Sequence, residues 1–140
     1  MKQKIVNTLI CICLVVGMLS VNVFASSGSG RVTVPSNGGN VLAVKGATRT
    51  GNYPYVNVKA DAVTPTGNYN NDWFTKCKTR LYKNDTTATA SSKWYTLTEG
   101  HNYTKVQIYE GVQSLKKFNI NFKGNNENYA AVVYYSYQGK

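Results

Sequence analysis

The chain reads as an all-β protein: an antiparallel β-sandwich of about seven strands, preceded by a cleaved N-terminal signal-peptide helix. Short runs along it alternate apolar and polar side chains with a period of two, as strands with one buried face do. Between the runs lie clusters of Gly, Asn, Asp, Ser and Pro, residues that favour turns. After the leader, no stretch carries an apolar stripe at the helical period of about 3.6, so essentially no helix is expected.

Residues 1–25, MKQKIVNTLICICLVVGMLSVNVFA, have the parts of a secretory signal. Lys2 and Lys4 make the positive start, and residues 9–19 form an apolar stretch too short to span a bilayer. Val23 and Ala25 are small residues at the spacing a signal peptidase accepts, so cleavage is expected after Ala25. An uncleaved anchor is the alternative. Cys11 and Cys13 lie inside the apolar stretch and leave with it. Removing 25 of 140 residues leaves 115, which is one domain: a flexible linker over 26–40 and the sandwich over 41–140. A chain of that size buries about two-thirds of its unfolded surface, enough for a core without staples. Cys77 is the one cysteine left, so no internal disulfide forms.

In order, residues 26–30, SSGSG, read as a tether, and 31–34 as a short edge strand before Pro35. Residues 36–40 are a loop, 41–45 a short strand, and 46–52 a turn region with Arg49 exposed. In 53–60, YPYVNVKA, Val56 and Val58 share one face, opposite Tyr55, Asn57 and Lys59. Pro54 lacks an N–H and belongs at a strand start or sheet edge. Residues 61–72 form the longest irregular stretch, either a crossover between sheets or a binding loop. Residues 73–83, WFTKCKTRLYK, are the longest strand: Trp73, Thr75, Cys77, Thr79 and Leu81 face one way, and Phe74, Lys76, Lys78, Arg80 and Tyr82 the other. A turn over 84–87 and a loop or weak edge over 88–92 follow. Residues 93–110 hold two alternating runs around Glu99-Gly100-His101-Asn102 and predict a β-hairpin. In 118–123, Phe118, Ile120 and Phe122 point in, while Asn119, Asn121 and Lys123 point out. Residues 129–137, YAAVVYYSY, are partly apolar on both faces, which predicts a central strand.

Catalysis finds little support. His101 at a turn and Cys77 in mid-strand are too far apart to act as base and nucleophile. The six acids, Asp61, Asp72, Asp85, Glu99, Glu110 and Glu127, all sit in or beside turns; only Asp61 and Asp72 flank one loop. One histidine, one cysteine and scattered acids form no metal-ligand cluster, and no glycine motif cradles a phosphate. No catalytic residue, metal or cofactor is therefore expected.

Binding is better motivated. Losing Lys2 and Lys4 from a net charge of +10 leaves +8, which suits anionic partners such as a cell-wall polymer, a membrane surface, a glycan or extracellular nucleic acid, and equally serves solubility alone. Lys76, Lys78 and Arg80, with Lys83 just beyond and Phe74 and Tyr82 interleaved, form a candidate basic strip. Each cation near an anionic surface contributes about 1 kcal/mol. The same strip also serves as a solvated face that discourages edge-to-edge aggregation. The eleven tyrosines offer apolar area with one hydroxyl each; Tyr53, Tyr55, Tyr95, Tyr103 and Tyr109 are expected to be mostly exposed. Cys77 is expected to be buried, with an intermolecular bridge as the alternative.

The signal peptide, the SSGSG junction, the Lys-, Asn- and Tyr-rich strands and the terminus YAAVVYYSYQGK together resemble small exported β-sandwich proteins of Gram-positive bacteria. Most of those have no known function; some are bacteriocins. The resemblance implies export and transfers no functional residue. The expectation is a secreted, extracellular, non-enzymatic sandwich that binds an anionic envelope or surface component. The alternatives are a bacteriocin-like or toxin-like cationic protein and, third, a nucleic-acid binder that stacks bases on aromatics.

Overall fold

The computed structural model describes residues 26–66, 75–84, 87–91, 93–126 and 128–139. The signal segment, residues 67–72 of the expected 61–72 loop, Trp73, Phe74, Asp85 and Glu127 lie outside them. Eight strands are described: β1 Ser27–Val34, β2 Asn40–Thr48, β3 Tyr55–Pro65, β4 Lys76–Lys83, β5 Tyr95–Thr98, β6 Thr104–Gln107, β7 Lys117–Gly124 and β8 Ala131–Gln138. The described helix is one 3₁₀ turn, Glu110–Val112.

The strands form two four-stranded antiparallel sheets, β1-β8-β3-β6 (sheet A) and β2-β7-β4-β5 (sheet B). The pairing follows one rule. β4 pairs with β5, β3 with β6, β2 with β7 and β1 with β8, so the chain is one long hairpin doubled back at β4–β5. Two further pairings, β3 with β8 and β4 with β7, roll that hairpin into a closed pair of sheets. This is jelly-roll connectivity. As its two-sided apolar pattern predicts, β8 is central, between β1 and β3.

Alternation decides what is inside. Val56, Val58, Val106, Val133 and Tyr135 of sheet A meet Cys77, Leu81, Leu97, Phe118, Ile120 and Phe122 of sheet B, all at most 6% exposed. The Tyr135 and Phe122 rings lie 5.0 Å apart, and the Tyr135 hydroxyl donates to the Ala43 carbonyl across the sandwich. A buried phenol is tolerable because its hydroxyl is satisfied.

Several expectations are corrected. The SSGSG segment is not a tether, and residues 26–40 are not a linker: Ser27–Gly30 begins β1, paired with Tyr135–Gln138 of β8. Its glycines are the reason. Gly28 and Gly30 stand opposite Tyr137 and Tyr135 on the inner face, and the tyrosine rings occupy the space side chains would need. A Cβ on Gly30 would lie 2.7 Å from the Tyr135 hydroxyl oxygen and 3.0 Å from Cζ. Gly30→Ala is therefore expected to cost about 1–3 kcal/mol by overpacking, read as a lower denaturant midpoint at unchanged slope.

The run 93–110 is not a hairpin. β5 belongs to sheet B and β6 to sheet A. Residues 99–103 form a corner between the sheets, sewn down at three points. The Glu99 N–H donates to the Thr75 carbonyl, and the Gly100 N–H, at φ 69°, to the Ala60 carbonyl. The Glu99 carboxylate accepts the Val63 N–H at 2.8 Å. That last bond satisfies a donor exposed by the register shift between Ala60 and Ala62. The same bulge lets β3 run on to Pro65, through residues expected to be irregular. Likewise β2 reaches Thr48 by absorbing Gly46, at φ 69°, in a register shift.

Arg49, expected to be exposed, is 1% exposed. Its guanidinium donates to the carbonyls of Tyr53, Gln113 and Leu115, and its carbon lies 5.8 Å from the centre of the Phe118 ring. Burial pulls its pKa below the ordinary arginine value. No carboxylate takes part in these contacts; the charge is dispersed over backbone dipoles that would otherwise be unpaired.

Candidate functional site

The strand β4 has two unlike sides. Cys77, Thr79 and Leu81 are wholly buried, whereas Lys76 is exposed and Lys78, Arg80 and Tyr82 are half-buried on the outer face of sheet B. The interleaved pattern of the sequence is therefore a real division between core and surface. Lys83 does not join the strip: its cross-strand partner is the buried Phe118, so its register is that of the inner face. Phe74 lies outside the described residues.

The neighbours of β4 supply what the linear strip lacks. Lys123 of β7 stands directly opposite Lys78, Asn121 opposite Arg80, and Asn119 opposite Tyr82. On the other side, Thr98 and Thr96 of β5 face Lys76 and Lys78. Directly opposed side chains have Cβ atoms about 5 Å apart, so two side chains of one charge leave the sheet side by side. The Lys123 ammonium lies 4.9 Å from the centre of the Trp94 ring, whose negative face partly offsets that repulsion. Arg80 donates from Nε to the Ser91 carbonyl at 3.3 Å, which fixes its side chain against the turn after β4. Lys117 extends the outer register of β7. The acids among the described residues are Asp61, Glu99 and Glu110, and none belongs to a strand of sheet B.

Beside the cations the face is indented. An open groove of about 320 Å³ is lined by Asn40, Leu42, Tyr82, Thr87, Asn119 and Asn121. Its amides are held in place. Asn121 Nδ2 donates to Asn40 Oδ1 at 2.8 Å, and Asn119 Oδ1 accepts the Gly46 N–H at 2.9 Å. Asn121 Oδ1 is buried and takes no hydrogen bond. Leu42, on the edge strand β2, is 46% exposed. Tyr82 thus belongs to the groove wall as well as to the strip.

The outer face of sheet A differs in carrying an acid. Lys59 pairs with Asp61 at 3.0 Å, and the Ser136 hydroxyl donates to the same carboxylate at 2.5 Å. Partial burial alone would raise the Asp61 pKa; the Ser136 and Lys59 contacts outweigh it, and the net shift is downward. On this sheet Lys105 lies over Tyr55, with its ammonium 5.0 Å from the ring centre. Of the tyrosines expected to be exposed, Tyr53, Tyr103 and Tyr109 are, while Tyr55 and Tyr95 are half-buried against neighbours; Tyr134 is exposed as well.

His101 is exposed at the corner, and no group of three or more His, Cys, Asp or Glu side chains capable of holding a metal forms among the described residues. Cys77 is wholly buried, and burial pushes its thiol from 9.0 up to about 12. It is expected to resist a thiol reagent until the protein unfolds, which leaves no surface thiol for a bridge. The proton is held more tightly in the folded state. Stability is therefore unaffected below about pH 9 and falls as the pH rises from there towards 12, by at most about 1.4 kcal/mol per unit. Urea midpoints compared at about pH 8 and about pH 10 should show a loss that Cys77→Ala reduces, the remainder including Tyr135, whose phenol burial also pushes up.

Lys123, Asn121, Asn40 and Leu42 were not singled out by the sequence. The alternation in 118–123 does place Asn119, Asn121 and Lys123 outward, but only the pairing of β7 with β4 brings them beside the strip. Comparison with protein-family models, with curated proteins and with solved structures finds no match for this chain.

Proposed function

We propose that the protein is a secreted, non-enzymatic β-sandwich that binds an anionic polymer of the cell envelope through the outer face of sheet B. The observation that carries this reading is the direct opposition of Lys78 and Lys123, flanked by Lys76 and Arg80 on a sheet whose strands contribute no acid among the described residues. Like charges directly opposite one another cost stability, and an anion laid over them recovers it. Four cations at about 1 kcal/mol each give roughly 3–4 kcal/mol before ordering costs, which is weak and salt-sensitive binding. The fold itself does not specify a function.

The test is retention of the leaderless protein on isolated cell walls. Binding at low salt is expected, with release by about 0.5 M NaCl, where screening acts over roughly 4 Å. Retention unchanged by salt, or unchanged in Lys78→Glu, would sink the reading.

A further inference from the structure

We infer that the groove lined by Asn40, Leu42, Tyr82, Thr87, Asn119 and Asn121 is a sugar subsite, and that the anionic polymer is an acidic polysaccharide. This rests on the binding face proposed above and names its ligand class. The groove contains no charge. Three carboxamides, a phenol and a hydroxyl line it, and each of these groups both donates and accepts. A bare phosphate or carboxylate calls only for donors, whereas the hydroxyls of a sugar, which also donate and accept, match such a wall. Leu42, nearly half exposed, and the Tyr82 ring supply the apolar surface on which the C–H face of a pyranose rests. The groove's size, about 320 Å³, falls at the lower end of small-molecule sites.

Two observations join groove and cations. Asn121, in the groove wall, stands opposite Arg80, one same-face step along the strands from the Lys78–Lys123 pair. Same-face residues are about 7 Å apart along a strand, so hydroxyls in the groove and an acid group over the two lysines fit one short stretch of the same chain. Second, Tyr82 belongs to both: it follows Lys78 and Arg80 on the outer side of β4 and also stands in the groove wall. Nucleic acid fits less well: successive bases need several stacking rings, and on this face Trp94 already carries Lys123, which leaves Tyr82 as a single platform among the described residues.

The experiment compares three probes by calorimetry at low salt: a galacturonic acid oligosaccharide, inorganic polyphosphate of matched charge, and single-stranded DNA. The uronate is expected to bind at least about tenfold more tightly than polyphosphate. Asn121→Ala, and separately Asn40→Ala on the exposed edge strand, should each weaken the uronate roughly tenfold and leave polyphosphate unchanged. Circular dichroism confirms that each variant is folded, and Asn40→Ala keeps the test open if Asn121→Ala is not. Lys78→Glu should weaken both. Equal affinity for uronate and polyphosphate, with neither asparagine variant discriminating, would overturn the sugar subsite and leave the charged face standing. Tighter binding of DNA would overturn the polysaccharide assignment. No binding of any probe would overturn the subsite together with the face on which it rests.

Discussion

Arg49→Met is expected to lower stability by about 3–5 kcal/mol, a large part of the 5–15 kcal/mol that holds a domain of this kind together. Methionine keeps the apolar stem beside Phe118 but donates nothing. The carbonyls of Tyr53, Gln113 and Leu115 then lose their shared donor. Each buried acceptor left unpaired costs on the order of 1–3 kcal/mol, less where water reaches it. The three carbonyls lie on two loops, so the variant should also loosen the 3₁₀ turn Glu110–Val112 and speed amide exchange at Val112 and Leu115, whose N–H groups donate to the Tyr109 and Val112 carbonyls. Arg49→Lys should recover only part of the loss, because one ammonium does not reproduce the planar fork that reaches three carbonyls. A thermal melt of Arg49→Met within about 1 kcal/mol of the parent would show that these carbonyls do not depend on the guanidinium.

Lys78→Glu is expected to separate binding from stability. It removes one cation and adds one anion at the centre of the face, so binding to isolated walls should weaken by about 2 kcal/mol, roughly thirtyfold. At the same time the new carboxylate faces Lys123 in place of a second ammonium. A repelling cross-strand pair becomes an attracting one, so the melting temperature should stay level or rise, by up to about 1 kcal/mol in stability. Loss of binding with a gain in stability is the pattern of a surface kept unfavourable for a ligand. A binding loss that merely tracked unfolding would point to a structural role for Lys78.

These two residues also show what was legible in the sequence. Lys78 was, because the two-residue rhythm of 76–83 separates cations from Cys77, Thr79 and Leu81 wherever the strand is placed. Arg49 was not: it follows β2 in a stretch rich in Gly, Thr and Asn, where a cation is ordinarily solvated. Its burial depends on carbonyls 64 and 66 residues away, at Gln113 and Leu115. The same limit explains the corner at 99–103. Alternation marked both flanking runs as strands, but alternation is blind to which sheet a strand joins. That choice is made by Thr75 and Ala60, whose carbonyls accept from Glu99 and Gly100, and by Val63, whose N–H donates to the Glu99 carboxylate. Gly28 and Gly30 misled for a related reason. Small residues look like slack when the tyrosines that fill their space lie at the far end of the chain. The groove followed suit, since its walls come from β2, β7 and the end of β4 together with Thr87, which the chain itself scatters.

The pairing of β1 with β8 has a kinetic consequence. Among the described residues, 27–34 pair as a strand with 131–138, so the first strand lacks its ladder partner until nearly the whole chain has emerged. Two such distant segments meet late and slowly. A polypeptide threaded through a pore N-terminus first would stay loose throughout its passage and fold only on release.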